Sequence, residues 1–297
     1  MMFPMPKQAS KSAAKKRPSA ARPVKAPKLG QNFLADSSAA RKIVEALGDI
    51  ANAIVIEIGP GRGAITRLLA ERAGRLIAIE YDRQLAAMLS MELTKHKNLE
   101  VIEADVLSVD FHALLRGKDP RTPVRVVGNL PYYITSDILL KLFAASIFPA
   151  ASGGGFIEQI VVMVQKEVAD RLAAKPGTRD YGLLSATAQM HGEVKRLLTL
   201  PPAAFAPAPK VHSSVVEIRI APKFSELGVD ARGFDRFLKL VFAQKRKTIF
   251  NNLRVEFDEK IARNALEEAD ISPSARAETL TLKQMAKLYR NLSPAEG

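Results

Sequence analysis

Four short polar clusters, each placed directly after an apolar run, hold the groups in this 297-residue chain that could do chemistry. Gly59-Pro60-Gly61-Arg62-Gly63 follows 53–58, Glu80 closes 76–80, Asp105 follows 99–104, and Asn129-Leu130-Pro131-Tyr132 follows 124–128. A glycine loop lets the backbone approach a ligand closely and offers free N–H groups at a helix start. Gly59-x-Gly61-x-x-Ala64 also satisfies the dinucleotide fingerprint, which expects an acidic residue about 20 positions on. Glu80 stands at that distance, where a carboxylate accepts both hydroxyls of a ribose. The spacing leaves a nicotinamide dinucleotide and another adenosine-containing cofactor equally open. Asp105 can accept from an adenine amino group or can cap a helix. The Asn129–Tyr132 tetrad is more specific. An asparagine with a backbone carbonyl can grip both hydrogens of a planar exocyclic amine, the proline turns that carbonyl outward, and Tyr132 offers a π face to a base. A plain Asn-x-Pro turn explains any one of these residues but not the set, and a dinucleotide oxidoreductase gives the set no purpose.

The elements that must position these groups follow from hydrophobic periodicity. Short β-branched runs, apolar on both faces, predict strands over 53–58, 76–80, 99–104, 124–128 and 157–164, with helices over 64–73 and 84–93. Such alternation predicts an α/β fold with a parallel sheet covered on both sides, whose ligands gather at the carboxyl ends of the strands. The strand pattern stops after Ile220. Phe234, Phe237, Leu238, Val241 and Phe242 then recur at the spacing of one helix face. The opposite face carries Arg236 and Lys239 and leads into Lys245-Arg246-Lys247. Residues 236–254 hold six basic residues and no acidic one, which predicts phosphate contact rather than a merely solvated face.

Composition narrows the partners. Forty-four basic and 31 acidic residues give a formal charge of +13, which favours a polyanion, nucleic acid before an anionic membrane surface. Cysteine is absent, which excludes disulfides, thiolate metal sites, iron–sulfur clusters and a cysteine nucleophile. His96, His112, His191 and His212 show no ligand spacing and read as surface or turn residues, so no metal is expected. No apolar run reaches the ~18–20 residues of a membrane-spanning helix. Residues 1–28 contain eight basic residues, no acidic residue and five prolines, the composition of a disordered tail. The tail lacks an apolar signal-peptide core, and its prolines would break the amphipathic helix of a mitochondrial presequence. It reads equally as a solubilising segment or as a basic arm for RNA.

Several blocks together resemble a known family. Lys28-Leu29-Gly30-Gln31-Asn32-Phe33-Leu34, Glu57-Ile58-Gly59-Pro60-Gly61-Arg62-Gly63, Glu103-Ala104-Asp105-Val106-Leu107 and Asn129-Leu130-Pro131-Tyr132 occur in that order. Gln165–Leu172, Tyr181–Ser185 and Phe205–Val216 follow. The set, spanning roughly residues 28–290, resembles the S-adenosyl-L-methionine-dependent ribosomal RNA adenine N6,N6-dimethyltransferases, nearest the bacterial small-subunit branch. Ile65 stands where the glycine-loop block often has leucine. The resemblance implies a Rossmann-like class I methyltransferase domain over 29–221 and a small helical RNA-binding domain over 222–297. It also implies roles. Gln31, Asn32 and Leu34 would close over the methionine part of the cofactor. Gly59 and Gly61 would face its amino-acid end, Glu80 its ribose and Asp105 its adenine. Asn129 would sit where cofactor and target amine meet, with Leu130, Pro131 and Tyr132 around it and Phe205 as a second wall for the base. Lys245, Arg246 and Lys247 would hold RNA. The implied activity is dimethylation of two adjacent adenines in a small-subunit hairpin during ribosome biogenesis. The enzyme would act as a cytoplasmic monomer on an immature subunit. The related large-subunit methyltransferase of macrolide resistance and a non-catalytic ribosome assembly factor are the alternatives.

Overall fold

Aspartate ends five of the loops that lead into helices, where its carboxylate accepts from the otherwise unpaired first N–H groups. In the computed structural model, which describes residues 31–147 and 157–292, Asp36 caps α1 (Ser37–Ala46) and Asp82 caps α3 (Arg83–Glu92) in this way. The expected tail over 1–28 lies outside the described residues. The first half runs β1 (Phe33–Leu34), α1, β2 (Ile54–Ile58), α2 (Thr66–Ala70), β3 (Arg75–Glu80), α3, β4 (Leu99–Glu103), α4 (Phe111–Leu114), β5 (Val124–Asn129) and α5 (Thr135–Ser146). Then come β6 (Gln159–Gln165), α6 (Lys166–Leu172), α7 (Leu183–His191), β7 (Gly192–Leu200), β8 (Phe205–Ala206) and β9 (Ser213–Ile220). The chain closes with α8 (Phe224–Leu227), α9 (Ala231–Val241), α10 (Ile249–Leu253), α11 (Glu259–Glu268) and α12 (Leu282–Leu292).

Seven strands form one sheet in the order β4-β3-β2-β5-β6-β9-β7. The first five are mutually parallel, and β9 and β7 add antiparallel. Alternation along β2 explains the two faces. Ile54, Ile56 and Ile58 join Val126, Ile160 and the α5 residues Ile138, Leu142 and Phe143 in one core, while Val55 joins Val127, Val161 and the α1 residues Ile43 and Val44 in another. The expected strands are present to within two residues at each end. The helix expected over 64–73 is shorter at both ends, because Gly61–Ile65 and Glu71–Arg72 form turns.

A third core holds Phe234, Phe237, Leu238 and Val241 of α9 against α10, α11 and α12. Tyr181, Ala186 and Met190 also belong to it, so residues before 222 help to build it. His191 corrects the reading of the histidines as surface or turn residues. It is fully buried, between Ser146 of α5 (3.4 Å) and Asp235 of α9 (3.3 Å), with Phe143 and Phe224 against its ring. Lys245, Arg246 and Lys247 lie in the turn between α9 and α10, not on a helix face.

Candidate active site at the strand ends

Parallel strands β2, β3 and β5 end at one edge of the sheet, and the residues after them line a cavity of about 270 Å³ together with the turn after β4. Gln31, Asn32, Gly59, Gly61, Glu80, Asp105, Asn129, Leu130, Pro131 and Tyr132 all line it. Two expected members do not. Leu34 is buried in the core beneath α1, because successive residues of β1 face opposite ways and Phe33 takes the cavity side. Phe205 is 4 % exposed and packs in the same core, paired in register with Leu34 across the β1–β8 ladder. The second-wall position assigned to it is therefore corrected. Lys245, Arg246 and Lys247 are exposed and do not line the cavity, and Lys245 donates to the Arg179 carbonyl at 2.8 Å.

The glycine loop works differently from the expectation of free N–H groups. Gly59 N–H donates to the Ile79 carbonyl at 3.0 Å, Gly63 N–H to Pro60 at 2.9 Å, and Gly61 N–H to Glu80 Oε2 at 2.9 Å. The glycines are needed for shape. Gly61 has φ +58°, and a Cβ there would lie 2.9 Å from the Phe33 ring. Phe33 thus rests on bare backbone, with the Arg62 guanidinium 4.7 Å from its ring centre.

Glu80 is 4 % exposed, and each oxygen receives one backbone N–H, Oε2 from Gly61 and Oε1 from Asp82 at 2.9 Å. Burial pushes its carboxyl above the usual range, and the two N–H groups oppose that rise. Each oxygen keeps a lone pair for a further donor. Asp105 Oδ1 accepts from Leu107 N–H at 2.9 Å. Asn129 Nδ2 donates to the Asn32 carbonyl at 2.8 Å, which fixes the amide and leaves Oδ1 with no partner among the described residues. The Leu130 carbonyl is likewise unpaired there, whereas the Pro131 carbonyl already accepts from Thr135 Oγ1 (2.9 Å) and Ile134 N–H (3.3 Å). Of the two carbonyls that the tetrad offered, Leu130 is the available one. Tyr132 is half-buried, its hydroxyl 2.6 Å from Ser213 Oγ, and burial pushes the phenol up.

Sequence reasoning did not single out Phe33, Ile79, Tyr81, Val106, Leu107 or Tyr133, all of which line the cavity. Each lies within two residues of a residue that the sequence did mark, and Phe33, Val106 and Leu107 stand inside the family blocks, which was the available signal. Behind the site, Glu57 of β2 is buried, and neither its Oε2 nor the Thr66 hydroxyl has a partner among the described residues. Burial pushes the Glu57 carboxyl up to about 8. No group of three or more His, Cys, Asp or Glu among the described residues could hold a metal ion, and no helix there is long and apolar enough to cross a membrane.

The acceptors and apolar walls fit an adenosine-type cofactor. Glu80 offers spare lone pairs for hydroxyls, Asp105 a carboxylate for an amino group, and Ile79, Val106 and Leu107 apolar sides for a flat ring.

Comparison with known proteins agrees with this arrangement. The profile described as "Ribosomal RNA adenine dimethylase" matches residues 24–293. A protein named Ribosomal RNA small subunit methyltransferase A from Koribacter versatilis (strain Ellin345) is 54% identical, over 97% of this chain and 99% of its own length. A protein of the same name from Acidobacterium capsulatum is 52% identical over 90% of each chain. Among solved structures, a dimethyladenosine transferase from Plasmodium falciparum superposes with TM-score 0.69 at 25% identity, over 86% of this chain and 95% of that one. The 23S rRNA methyltransferase ErmE superposes at 0.58 with 26% identity, over 88% and 99%.

Proposed function

Because the chain belongs to the ribosomal RNA adenine dimethylase family, we propose that it transfers two methyl groups to the N6 amine of each of two adjacent adenines in a small-subunit ribosomal RNA hairpin. The methyl donor is S-adenosyl-L-methionine, and the step belongs to ribosome biogenesis. The observation that carries this reading is the pair of unused acceptors on consecutive residues, Asn129 Oδ1 and the Leu130 carbonyl, at the cavity end of β5. Relatives at 54% and 52% identity that carry the small-subunit name support that substrate over the large-subunit one.

The difficulty of the reaction lies in the nucleophile, because the adenine N6 lone pair is delocalised into the ring. In the first transfer Asn129 Oδ1 and the Leu130 carbonyl would accept the two N–H bonds of N6, and in the second one of them would accept the single N–H that remains, in each case favouring a more tetrahedral nitrogen with a more available lone pair. Asn32 holds the Asn129 amide in that orientation, so the acceptors are in place before the reaction begins. When bound, the cofactor supplies a methyl on a sulfonium that departs as a neutral thioether, so no acid is needed for the leaving group. The N–H proton lost from N6 passes to solvent, and no strong base is required. Tyr132, oriented by Ser213, presents its ring to an adenine taken out of its stack. Glu80 would hold the cofactor ribose, Asp105 its adenine, and Gln31, Asn32, Gly59 and Gly61 its amino-acid end.

In this reading residues 29–221 form the methyltransferase domain and 222–297 the RNA-binding domain, with Lys245, Arg246 and Lys247 on phosphates. The enzyme works as a cytoplasmic monomer on an immature small subunit. The test is transfer of labelled methyl to unmethylated small subunits and to protein-free large-subunit RNA. Label on adenine in the small subunit alone is expected. Label on large-subunit RNA, or on neither, would contradict the proposal.

A further inference from the structure

Tyr132 and Tyr133 are the two central residues of one turn, and the turn sends them to different places. Its ends are closed by Ile134 N–H on the Pro131 carbonyl (3.3 Å), and Thr135 Oγ1 binds the same oxygen at 2.9 Å. Tyr132 turns inward, half-buried and hydrogen-bonded to Ser213. Tyr133 lines the same cavity but is 67 % exposed, with no hydrogen bond or ring contact among the described residues. A lone exposed apolar side chain needs no explanation. An aromatic ring on a pinned turn, at the mouth of a cavity and on the Asn129 side of it, is a different matter. Tyr81, the other exposed aromatic residue of the lining, follows Glu80 on the opposite, ribose-binding side.

We propose that Tyr133 is a substrate-positioning residue that stacks on the base next to the target adenine, at the mouth of the cavity formed by the strand ends. The inference rests on the reading that an RNA adenine enters the cavity beside Asn129. Taking one base out of its stack exposes a face of its neighbour, and a fixed ring at the mouth replaces the missing stacking partner. Every base has a π face, so the interaction holds the strand without reading its sequence.

The experiment compares wild type, Tyr133→Ala and Tyr133→Phe on unmethylated small subunits. Tyr133→Ala should raise KM for the subunit roughly 5- to 100-fold, the range expected for removing one base–aromatic stack, with kcat and cofactor affinity close to wild type. Tyr133→Phe, which keeps the ring, should behave as wild type. On subunits reconstituted with an abasic nucleotide beside the target, tested on each side in turn, the difference between wild type and Tyr133→Ala should vanish for one side. An unchanged KM in Tyr133→Ala overturns the proposal, as does a penalty that persists with both abasic substrates. Weakened cofactor binding in Tyr133→Ala overturns it as well, since the ring would then belong to the cofactor. If the wild-type enzyme methylates no small-subunit adenine, the underlying function fails and this inference falls with it.

Discussion

The strand-end cavity and the carboxy-terminal helical core place their unspent polar groups differently, one facing a cavity and the other sealed in packing. In the core of α9–α12 the aromatic rings pack on one another, Phe234 against Phe237 and Tyr289 at 5.7 and 5.5 Å. The buried Asn252 amide there donates to the Val241 and Gln244 carbonyls, while its Oδ1 and the Tyr181 hydroxyl are enclosed with no partner among the described residues. At the strand ends the donors are consumed, those of Gly59, Gly61 and Gly63 and the Asn129 amide, while acceptors on Glu80, Asn129 and Leu130 keep spare capacity. A site short of donors and rich in acceptors suits ligands that bring hydroxyls and amines. Unpartnered polar atoms thus occur in both regions, and chemistry belongs where they open onto a cavity that a ligand can enter, as Asn129 and Leu130 do and Asn252 and Tyr181 do not.

Breaking each region should therefore give different phenotypes. Asn129→Ala has the largest expected effect: methyl transfer lowered by roughly 1,000-fold in single-turnover assays, the scale of removing a pre-placed electrostatic partner. Its thermal midpoint should stay near wild type, since one hydrogen bond to Asn32 is worth only about 1 kcal/mol. Phe234→Ala should do the reverse. Its buried ring leaves a cavity costing about 3–5 kcal/mol in denaturant unfolding, while the folded fraction still binds cofactor normally.

Glu57→Gln sharpens the comparison inside the strand region. A carboxyl raised from 4.5 to about 8 keeps a proton in the native state that the unfolded chain has already given up. Its contribution to stability is thus complete below pH 4.5 and is lost as pH rises toward about 8, by about 1.4 kcal/mol per pH unit. Thermal unfolding between pH 5 and 8 should fall more steeply for wild type than for Glu57→Gln, and equal slopes would contradict the assignment. The smallest effect belongs to the exposed turn. Replacing Lys245, Arg246 and Lys247 together by Gln should weaken RNA binding about tenfold. Its salt dependence should flatten by about 0.7 for each phosphate that the variant no longer neutralises, with cofactor affinity unchanged.

The same contrast governs what could be read from sequence. β2, β3, β5 and β6 were legible because both faces are apolar, and their polar ends stand out against such runs. β7 was not, since Glu193, Lys195 and Arg196 interrupt it and its place beside β9 is set by pairing across the sheet. The two-residue β1–β8 ladder carries no periodicity at all, so which of Phe33 and Leu34 faces the cavity was decided by register, and Phe205 was drawn into the core by the same pairing. The glycine N–H groups look free in sequence because their acceptors, Ile79 and Glu80, come from the neighbouring strand. In the helical part the apolar face of α9 was legible, but its periodicity gives no sign that the helix stops at Val241 and leaves the basic run in a turn.

The central claim is that one cavity, through Asn129 and Leu130, delivers two methyl groups to the same small-subunit adenine nitrogen. Nucleoside mass spectrometry of small-subunit RNA, after incubating unmethylated subunits with the wild-type protein and S-adenosyl-L-methionine, tests it directly. Wild type should yield N6,N6-dimethyladenosine and Asn129→Ala none. Methylation at any other atom, or dimethylation by Asn129→Ala at the wild-type rate, would contradict it.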